Sequence, residues 1–151
     1  MSDLRELYQE IILDHNKNPR NFGHPNHYMY EARGDNPLCG DKITVYLSLK
    51  NGIVNPIAFE GKGCAISMAS ASLMTEIIKG KTEQQAHHFF DYFHQLLTHD
   101  NPDAAPSDDQ TYDILKILTG VKQFPMRVKC ATLAWHTLMA ALKHEKKATT
   151  E

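Results

Sequence analysis

The chain has 151 residues, of which 42% are hydrophobic and 23% are charged, and its formal net charge at pH 7 is −2. This length predicts a single domain over residues 1–151, whose core can be stable without metal or disulfide bonds. The slightly negative charge offers no basic stripe for phosphate groups and argues against a nucleic-acid partner. Because no apolar stretch approaches the roughly 18 residues of a membrane span, we expect no membrane association and a cytoplasmic location.

The first part of the chain predicts one helix followed by short strands. Apolar residues at positions 4, 7, 11 and 12 have helical spacing and end before Pro19, which predicts an N-terminal helix. A short strand is expected over 28–33, and the turn-forming residues of 34–41 predict an irregular bend. Apolar and polar residues then alternate over 43–50, Asn51 and Gly52 follow, and 53–60 is again strand-like, which predicts a hairpin.

The rest of the chain predicts helices. They are expected over 65–79, over about 82–98, over 111–118, and from Pro125 onward. The proline and aspartate residues of 100–109 predict a solvated connector, and 146–151 is expected to be a frayed tail. The fold class is therefore predicted as α+β, with a small antiparallel β-sheet packed on one side by helices.

Three cysteines and one aspartate are the candidate functional residues of the sequence. Cys39 lies in the polar bend two residues before Asp41, Cys64 follows a glycine-rich strand-to-helix junction, and Cys130 is expected to begin the last helix. Helix N-termini offer free amides and partial positive charge, which favour the thiolate form that binds metals. An odd number of cysteines in a reducing compartment argues against a disulfide framework and for metal binding or thiol chemistry.

A plainer explanation exists for each of these residues on its own. A lone cysteine in a cytosolic protein is often a small buried hydrophobe, and an aspartate in a bend is often a turn residue or a cap. The combination favours a metal site, because the single glycine between Cys39 and Asp41 lets both side chains approach one centre. Thiolates select zinc, copper(I) or iron–sulfur clusters. Three thiolates with one carboxylate, without a C-x-x-C pair, are more typical of a working site than of a structural one.

Three separated segments, 34–41, 61–72 and 127–135, resemble the U-type iron–sulfur cluster assembly proteins, the family of NifU N-terminal domains, IscU and SufU. The resemblance covers nearly the whole chain and is closest to the SufU branch. IscU proteins generally have a histidine immediately before the third cysteine, where this chain has Lys129. IscU proteins also carry a Leu-Pro-Pro-Val-Lys stretch that a dedicated chaperone recognises, and residues 123–128 of this chain do not match it. The segment between Cys64 and Cys130 is longer than the corresponding segment of IscU proteins.

The resemblance implies the α+β fold expected above and a zinc site formed by Cys39, Asp41, Cys64 and Cys130. It also implies two kinds of partner, a pyridoxal-phosphate-dependent cysteine desulfurase of the SufS type and downstream iron–sulfur assembly proteins. Cys39, on its loop, is the predicted persulfide acceptor. Arg127 is expected either to be a surface residue at the helix start or to support the site, by pairing with Asp41 or by a longer-range electrostatic effect.

The same residues leave a second function open. The four ligands could instead hold iron in a labile [2Fe-2S] cluster that the chain assembles and transfers, so a sulfurtransferase-like relay and a non-enzymatic scaffold are both possible. A Cys/His hydrolase fits poorly, since the sequence has no nucleophile elbow or supported base. Among the nine histidines, His87, His88 and His94 are expected to be exposed helix residues, and His136 is expected to point away from the Cys130 face.

Overall fold

The computed structural model describes residues 2–99 and 110–149. In chain order the elements are α1 (Ser2–Lys17), β1 (Tyr30–Asn36), β2 (Asp41–Lys50), β3 (Ile53–Lys62), α2 (Ala65–Ile78), α3 (Glu83–Thr98), α4 (Gln110–Leu118), a 3₁₀ helix (Thr119–Gln123), α5 (Pro125–Leu142) and β4 (Lys147–Thr149). The predicted helices and the β2–β3 hairpin are thus confirmed. The predicted connector over 100–109 lies outside the described residues.

The sheet has the strand order β3-β2-β1-β4, and its first three strands are antiparallel neighbours. Ala32, Val45 and Phe59 lie opposite one another on β1, β2 and β3, and all three are fully buried. The apolar residues of the alternating pattern in β2 therefore face the core, as the alternation predicted. The irregular bend predicted over 34–41 was wrong in part, because 34–36 continue β1 and 41 begins β2. The pairing of β1 with β2 has overridden the local turn preference of these residues.

The predicted frayed tail contains a strand. β4 pairs in parallel with β1, with Arg33 opposite Lys147 and Asp35 opposite Thr149. The sheet is therefore mixed, with an antiparallel core of three strands and one short parallel strand at its edge. Three residues are too few to show a hydrophobic period, so only the open edge of β1 explains why this segment is extended.

Helices α2 and α5 cover the sheet, α5 against β1 and β2 and α2 against β3. Small residues of α2 let the two helices approach closely. The Ser70 hydroxyl donates to the Ala131 carbonyl oxygen at 2.6 Å and accepts from the indole N–H of Trp135 at 3.2 Å. Trp135 is fully buried at this contact. In the part of the chain that the structure describes, none of the helices has both the length and the hydrophobicity to cross a membrane.

Candidate metal centre

The β1–β2 turn places Cys39 at the surface. The main chain reverses over 37–40, where the N–H groups of Cys39 and Gly40 donate to the Asn36 carbonyl oxygen at 3.2 and 2.8 Å. Gly40 has a φ of +74°, a left-handed conformation that glycine adopts at little cost. The turn leaves Cys39 exposed and outside any disulfide bond, two residues before the first residue of β2.

Asp41 begins β2 and is buried, with 1% of its surface exposed. Its Oδ1 accepts a hydrogen bond from the Cys64 main-chain N–H at 3.0 Å. Its Oδ2 is buried and has no hydrogen-bond partner among the residues that the structure describes. Gly63 makes room for the carboxylate, since a Cβ there would lie 2.7 Å from Oδ1. A buried carboxylate oxygen without a partner is costly, so this atom is a candidate ligand for a cation.

Cys64 is the N-cap residue of α2, as the strand-to-helix junction predicted. Its Sγ accepts from the Ser67 main-chain N–H at 3.4 Å, and its thiol is exposed. The first amides of the helix thus point toward this sulfur, where they favour negative charge.

Cys130 lies in the second turn of α5, because the helix begins at Pro125. The expectation that Cys130 begins the helix was therefore wrong, and the free helix amides do not reach its sulfur. The side chain is 1% exposed, and its Sγ accepts from the Asn36 side-chain amide at 3.6 Å and donates to Cys39 Sγ at 3.5 Å. Burial, followed by the neighbouring Asp41 and Cys39, raises the pKa of the Cys130 thiol. A thiolate here needs a nearby cation.

One ligand atom each from Cys39, Asp41 and Cys130 lies within 4.8 Å of the other two. The Sγ of Cys64 falls outside this group, although the Cys64 N–H binds Asp41 and the Cys64 thiol is near enough to raise the pKa of Cys130. The structure thus brings together three of the four predicted ligands and places the fourth beside them. Soft thiols with one buried, unpartnered carboxylate oxygen fit a zinc ion.

The structure does not bring Arg127 to Asp41. Arg127 is exposed, its guanidinium lies 5.3 Å from the centre of the Phe124 ring, and no ion pair with Asp41 is present in the described ranges. The first of the two expectations for Arg127, a surface residue at the helix start, describes this position.

The histidines behave largely as expected. His88 and His94 are exposed on α3, whereas His87 is half-buried there. His136 is half-buried on α5, 6.0 Å from the His94 ring, and burial lowers its pKa. None of these rings belongs to the described group of close ligand atoms.

The sequence patterns did not point to two buried polar residues, of which Asn36 lies at the centre and His15 lies away from it. Asn36 is fully buried and donates to Cys130, but only the pairing of β1 with β2 shows that it leaves the bend. His15 is buried where α1 meets α2, and its Nδ1 lies 2.7 Å from the Ser72 hydroxyl. Its position four residues after Ile11 could have predicted that burial, since residues at this spacing share a helix face.

Comparisons with known proteins show the family of the chain. The family described as NifU-like N terminal domain matches residues 7–131. The zinc-dependent sulfurtransferase SufU of Bacillus subtilis is 40% identical over 147 residues, which are 96% of this chain and 95% of that protein. The iron–sulfur cluster assembly scaffold protein IscU of Streptococcus pyogenes is 34% identical over 149 residues, which are 98% of this chain and 90% of that protein.

Solved structures show the same fold. The SUF-system scaffold SufU of Fervidobacterium islandicum superimposes with a TM-score of 0.80 at 34% identity, covering 91% of this chain and 97% of that one. The N-terminal NifU-like protein of Brucella abortus gives a TM-score of 0.80 at 25% identity, covering 91% and 93%. The predicted α+β fold and the predicted family are both confirmed. The chain belongs to the NifU-like N-terminal domain family, and its relatives include both SufU and IscU proteins.

Proposed function

We propose that this chain is a zinc-bound sulfur acceptor in iron–sulfur cluster biogenesis. It takes sulfur from a SufS-type cysteine desulfurase and hands it to downstream iron–sulfur assembly proteins in the cytoplasm. The observation that carries the proposal is the pairing of an exposed thiol, Cys39, with a buried thiol and a buried carboxylate, Cys130 and Asp41. The exposed thiol can meet a partner protein, whereas the buried pair is suited to retaining a metal. The sulfurtransferase name of the Bacillus subtilis relative supports this function.

The proposed zinc ligands are Cys39, Asp41, Cys64 and Cys130. Zinc, when bound, would stabilise the thiolate forms of the cysteines at neutral pH. The chain itself supplies the surrounding hydrogen bonds. Asn36 donates to Cys130 Sγ, Ser67 donates to Cys64 Sγ, and the Cys64 N–H holds the Asp41 carboxylate. Such outer contacts orient metal ligands and tune their basicity.

Cys39 is the proposed nucleophile of the sulfur transfer. Its thiolate attacks the terminal sulfur of the persulfide that the desulfurase carries on its own cysteine. A sulfur–sulfur bond forms at Cys39 while that of the donor breaks, and the donor cysteine leaves as a thiolate. The terminal sulfur moves with its proton, so the step needs no external oxidant or reductant. Burial of Cys130 excludes it from the same approach, since a partner's persulfide cannot reach a sulfur that is 1% exposed.

Persulfide trapping tests the acceptor. The zinc-loaded chain is incubated with a SufS-type desulfurase and cysteine. It is then alkylated and digested, and the masses of the peptides are measured by mass spectrometry. We expect one added sulfur atom on the peptide that contains Cys39. The corresponding peptide of the Cys39→Ala variant should carry no added sulfur. Added sulfur on Cys64 or Cys130 alone, or on no cysteine, would contradict the proposal.

A second candidate function is assembly and transfer of a labile [2Fe-2S] cluster as cargo on the same four residues. The observation that favours it is the carboxylate in the ligand set, because an oxygen ligand holds an iron–sulfur cluster less firmly than a fourth sulfur. The IscU relatives are named as scaffolds. A scaffold and a relay would use the same four residues, which would hold a [2Fe-2S] cluster in the scaffold and a zinc ion in the relay.

Metal analysis separates the two functions. Stoichiometric zinc without visible absorption, in protein purified both aerobically and anaerobically, supports the relay, and a brown chromophore in the anaerobic protein supports the scaffold. For the scaffold we expect Asp41→Ala to retain its cluster longer than the unmodified chain. Faster cluster loss in that variant would argue against a scaffold.

A further inference from the structure

A groove opens beside the metal centre, between α1, α4 and the 3₁₀ helix, and reaches the starts of α2 and α5. Its volume is about 680 Å³. Sites that enclose small ligands or anchor side chains commonly have volumes of this order. The function proposed above makes no use of this groove.

The walls of the groove are apolar in their larger part. Ile12 of α1, Ile66 of α2 and Ile117 of α4 line it, and two large apolar side chains at its edge face solvent, Leu13 at 70% exposure and Phe124 at 45%. Exposed apolar residues that adjoin a groove are typical of interaction surfaces. The groove also lies close to the metal centre, because its lining includes Ala65, which directly follows Cys64.

The charged residues that line the groove, in the part of the chain that the structure describes, are all positive. The lining residues include the four cations Arg5, Lys116, Lys122 and Arg127, and no aspartate or glutamate is among them. This is a local excess of positive charge on a chain whose net charge is −2. Two of the cations are held in place, since Lys122 Nζ donates to the His99 carbonyl oxygen at 3.0 Å and Arg127 lies over the Phe124 ring. The charge complements an acidic partner.

We propose that this groove binds an amphipathic helix of a partner protein, with an apolar stripe flanked by aspartate and glutamate. Helices of this kind place side chains at i, i+3, i+4 and i+7 into apolar grooves. The flanking acidic residues would meet Arg5 on one side and Lys116 and Lys122 on the other. A partner docked here lies next to the metal centre, whether that centre passes on sulfur or a cluster. The proposal therefore stands independently of the function proposed above.

Selection from a random peptide library tests the surface without assuming a partner sequence. Helical peptides of about 16 residues, about four turns, are displayed and selected on the zinc-loaded chain. We expect enrichment of apolar residues at helical spacing together with aspartate and glutamate. Enriched peptides should bind Arg5→Glu/Lys116→Glu about tenfold more weakly, since two attractive charges become repulsive.

A matched control reverses two lysines outside the groove. Lys50→Glu/Lys79→Glu changes the net charge by the same amount, and we expect it to bind the peptides as the unmodified chain does. Leu13→Ser should also weaken binding without lowering the melting temperature, because Leu13 is largely exposed. Zinc content and thermal melts confirm that each variant is folded.

Four outcomes would overturn the proposal. They are enrichment without acidic residues, equal weakening by the control reversal, concentration-dependent self-association that Arg5→Glu/Lys116→Glu abolishes, and a co-purifying fatty acid that native mass spectrometry detects. The last two would assign the groove to a second copy of the chain or to a small anionic amphiphile. None of the four bears on sulfur transfer to Cys39.

Discussion

The metal centre combines two regions that differ in burial. Asp41 and Cys130 form a floor in which each residue is 1% exposed, whereas Cys39 and Cys64 form a rim with exposed thiols. The floor is held by β2 and the second turn of α5, and the rim by a four-residue turn and a helix cap. From this difference we infer a division of roles, in which the buried groups would retain a metal and the exposed thiols would exchange.

Removing one cysteine from each region should give the largest contrast. We expect Cys130→Ala to release zinc to a chelator about 100-fold faster than Cys39→Ala, because the floor ligand is shielded from water and the rim ligand can be replaced by water. Zinc content after timed exposure to EDTA measures this. Equal release from the two variants would remove the distinction between floor and rim.

The carboxylate of the floor should have opposite effects in the two metal states. Asp41→Asn removes a buried charge with an unpartnered oxygen but keeps an oxygen for the Cys64 N–H. We expect the free energy of unfolding to rise by about 1–2 kcal/mol in metal-free protein and to fall in zinc-loaded protein. Urea unfolding with and without zinc measures both values. A change of the same sign in the two states would show that Asp41 does not hold a cation.

Crowding the floor without removing a ligand should have a smaller effect. A Cβ at Gly63 would lie 2.7 Å from Asp41 Oδ1, so Gly63→Ala must displace the carboxylate. We expect zinc release to become about tenfold faster with a modest loss of stability. The control Lys62→Ala changes an exposed neighbour, and its release rate should stay that of the unmodified chain.

The smallest expected effect lies away from the centre, where His15 joins α1 to α2. Burial, followed by Arg20, lowers the pKa of His15 below its usual value of about 6.5. As pH falls below that value, the unfolded chain binds a proton that the folded chain resists, so stability decreases. For one group this slope cannot exceed about 1.4 kcal/mol per pH unit.

Melting curves of metal-free protein between pH 7 and 5.5 test this linkage. His15→Gln should flatten the dependence, although His136, whose pKa burial also lowers, keeps part of it. Ser72, Glu76, Asp14 and Arg20 surround or face the ring and stay unchanged in this variant. His27→Gln, at an exposed loop position, should keep the full slope. An unaltered slope in His15→Gln would show that His15 does not carry the effect.

The regular elements could be predicted because their signals are local. β2 alternates residue by residue, and α3 starts at a capping box in which Thr82 and Gln85 each accept from the other's main-chain N–H. The extension of β1 to Asn36 and the formation of β4 depend on pairing with distant residues. No local pattern carries that information.

The site shows the same limit. The identity of the four candidate ligands could be read from residue types, spacing and family resemblance. Their burial could not, because it depends on how β2 and α5 pack together. Cys39 and Cys130 look alike as residues in the sequence, but one is exposed and the other is 1% exposed.

The short β4 strand has a consequence for the carboxyl end of β1, with which it pairs. The Arg33 N–H donates to the Lys146 carbonyl oxygen at 2.8 Å, three residues before β1 ends and the turn that carries Cys39 begins. A chain cut after Glu145 would leave that amide facing water, and we expect its deuterium uptake to accelerate. Within the sheet β1 would then pair with β2 alone, and we expect the turn that carries Cys39 to be held less firmly. Residues 146–149 thus help to hold the end of β1 from which the Cys39 turn extends.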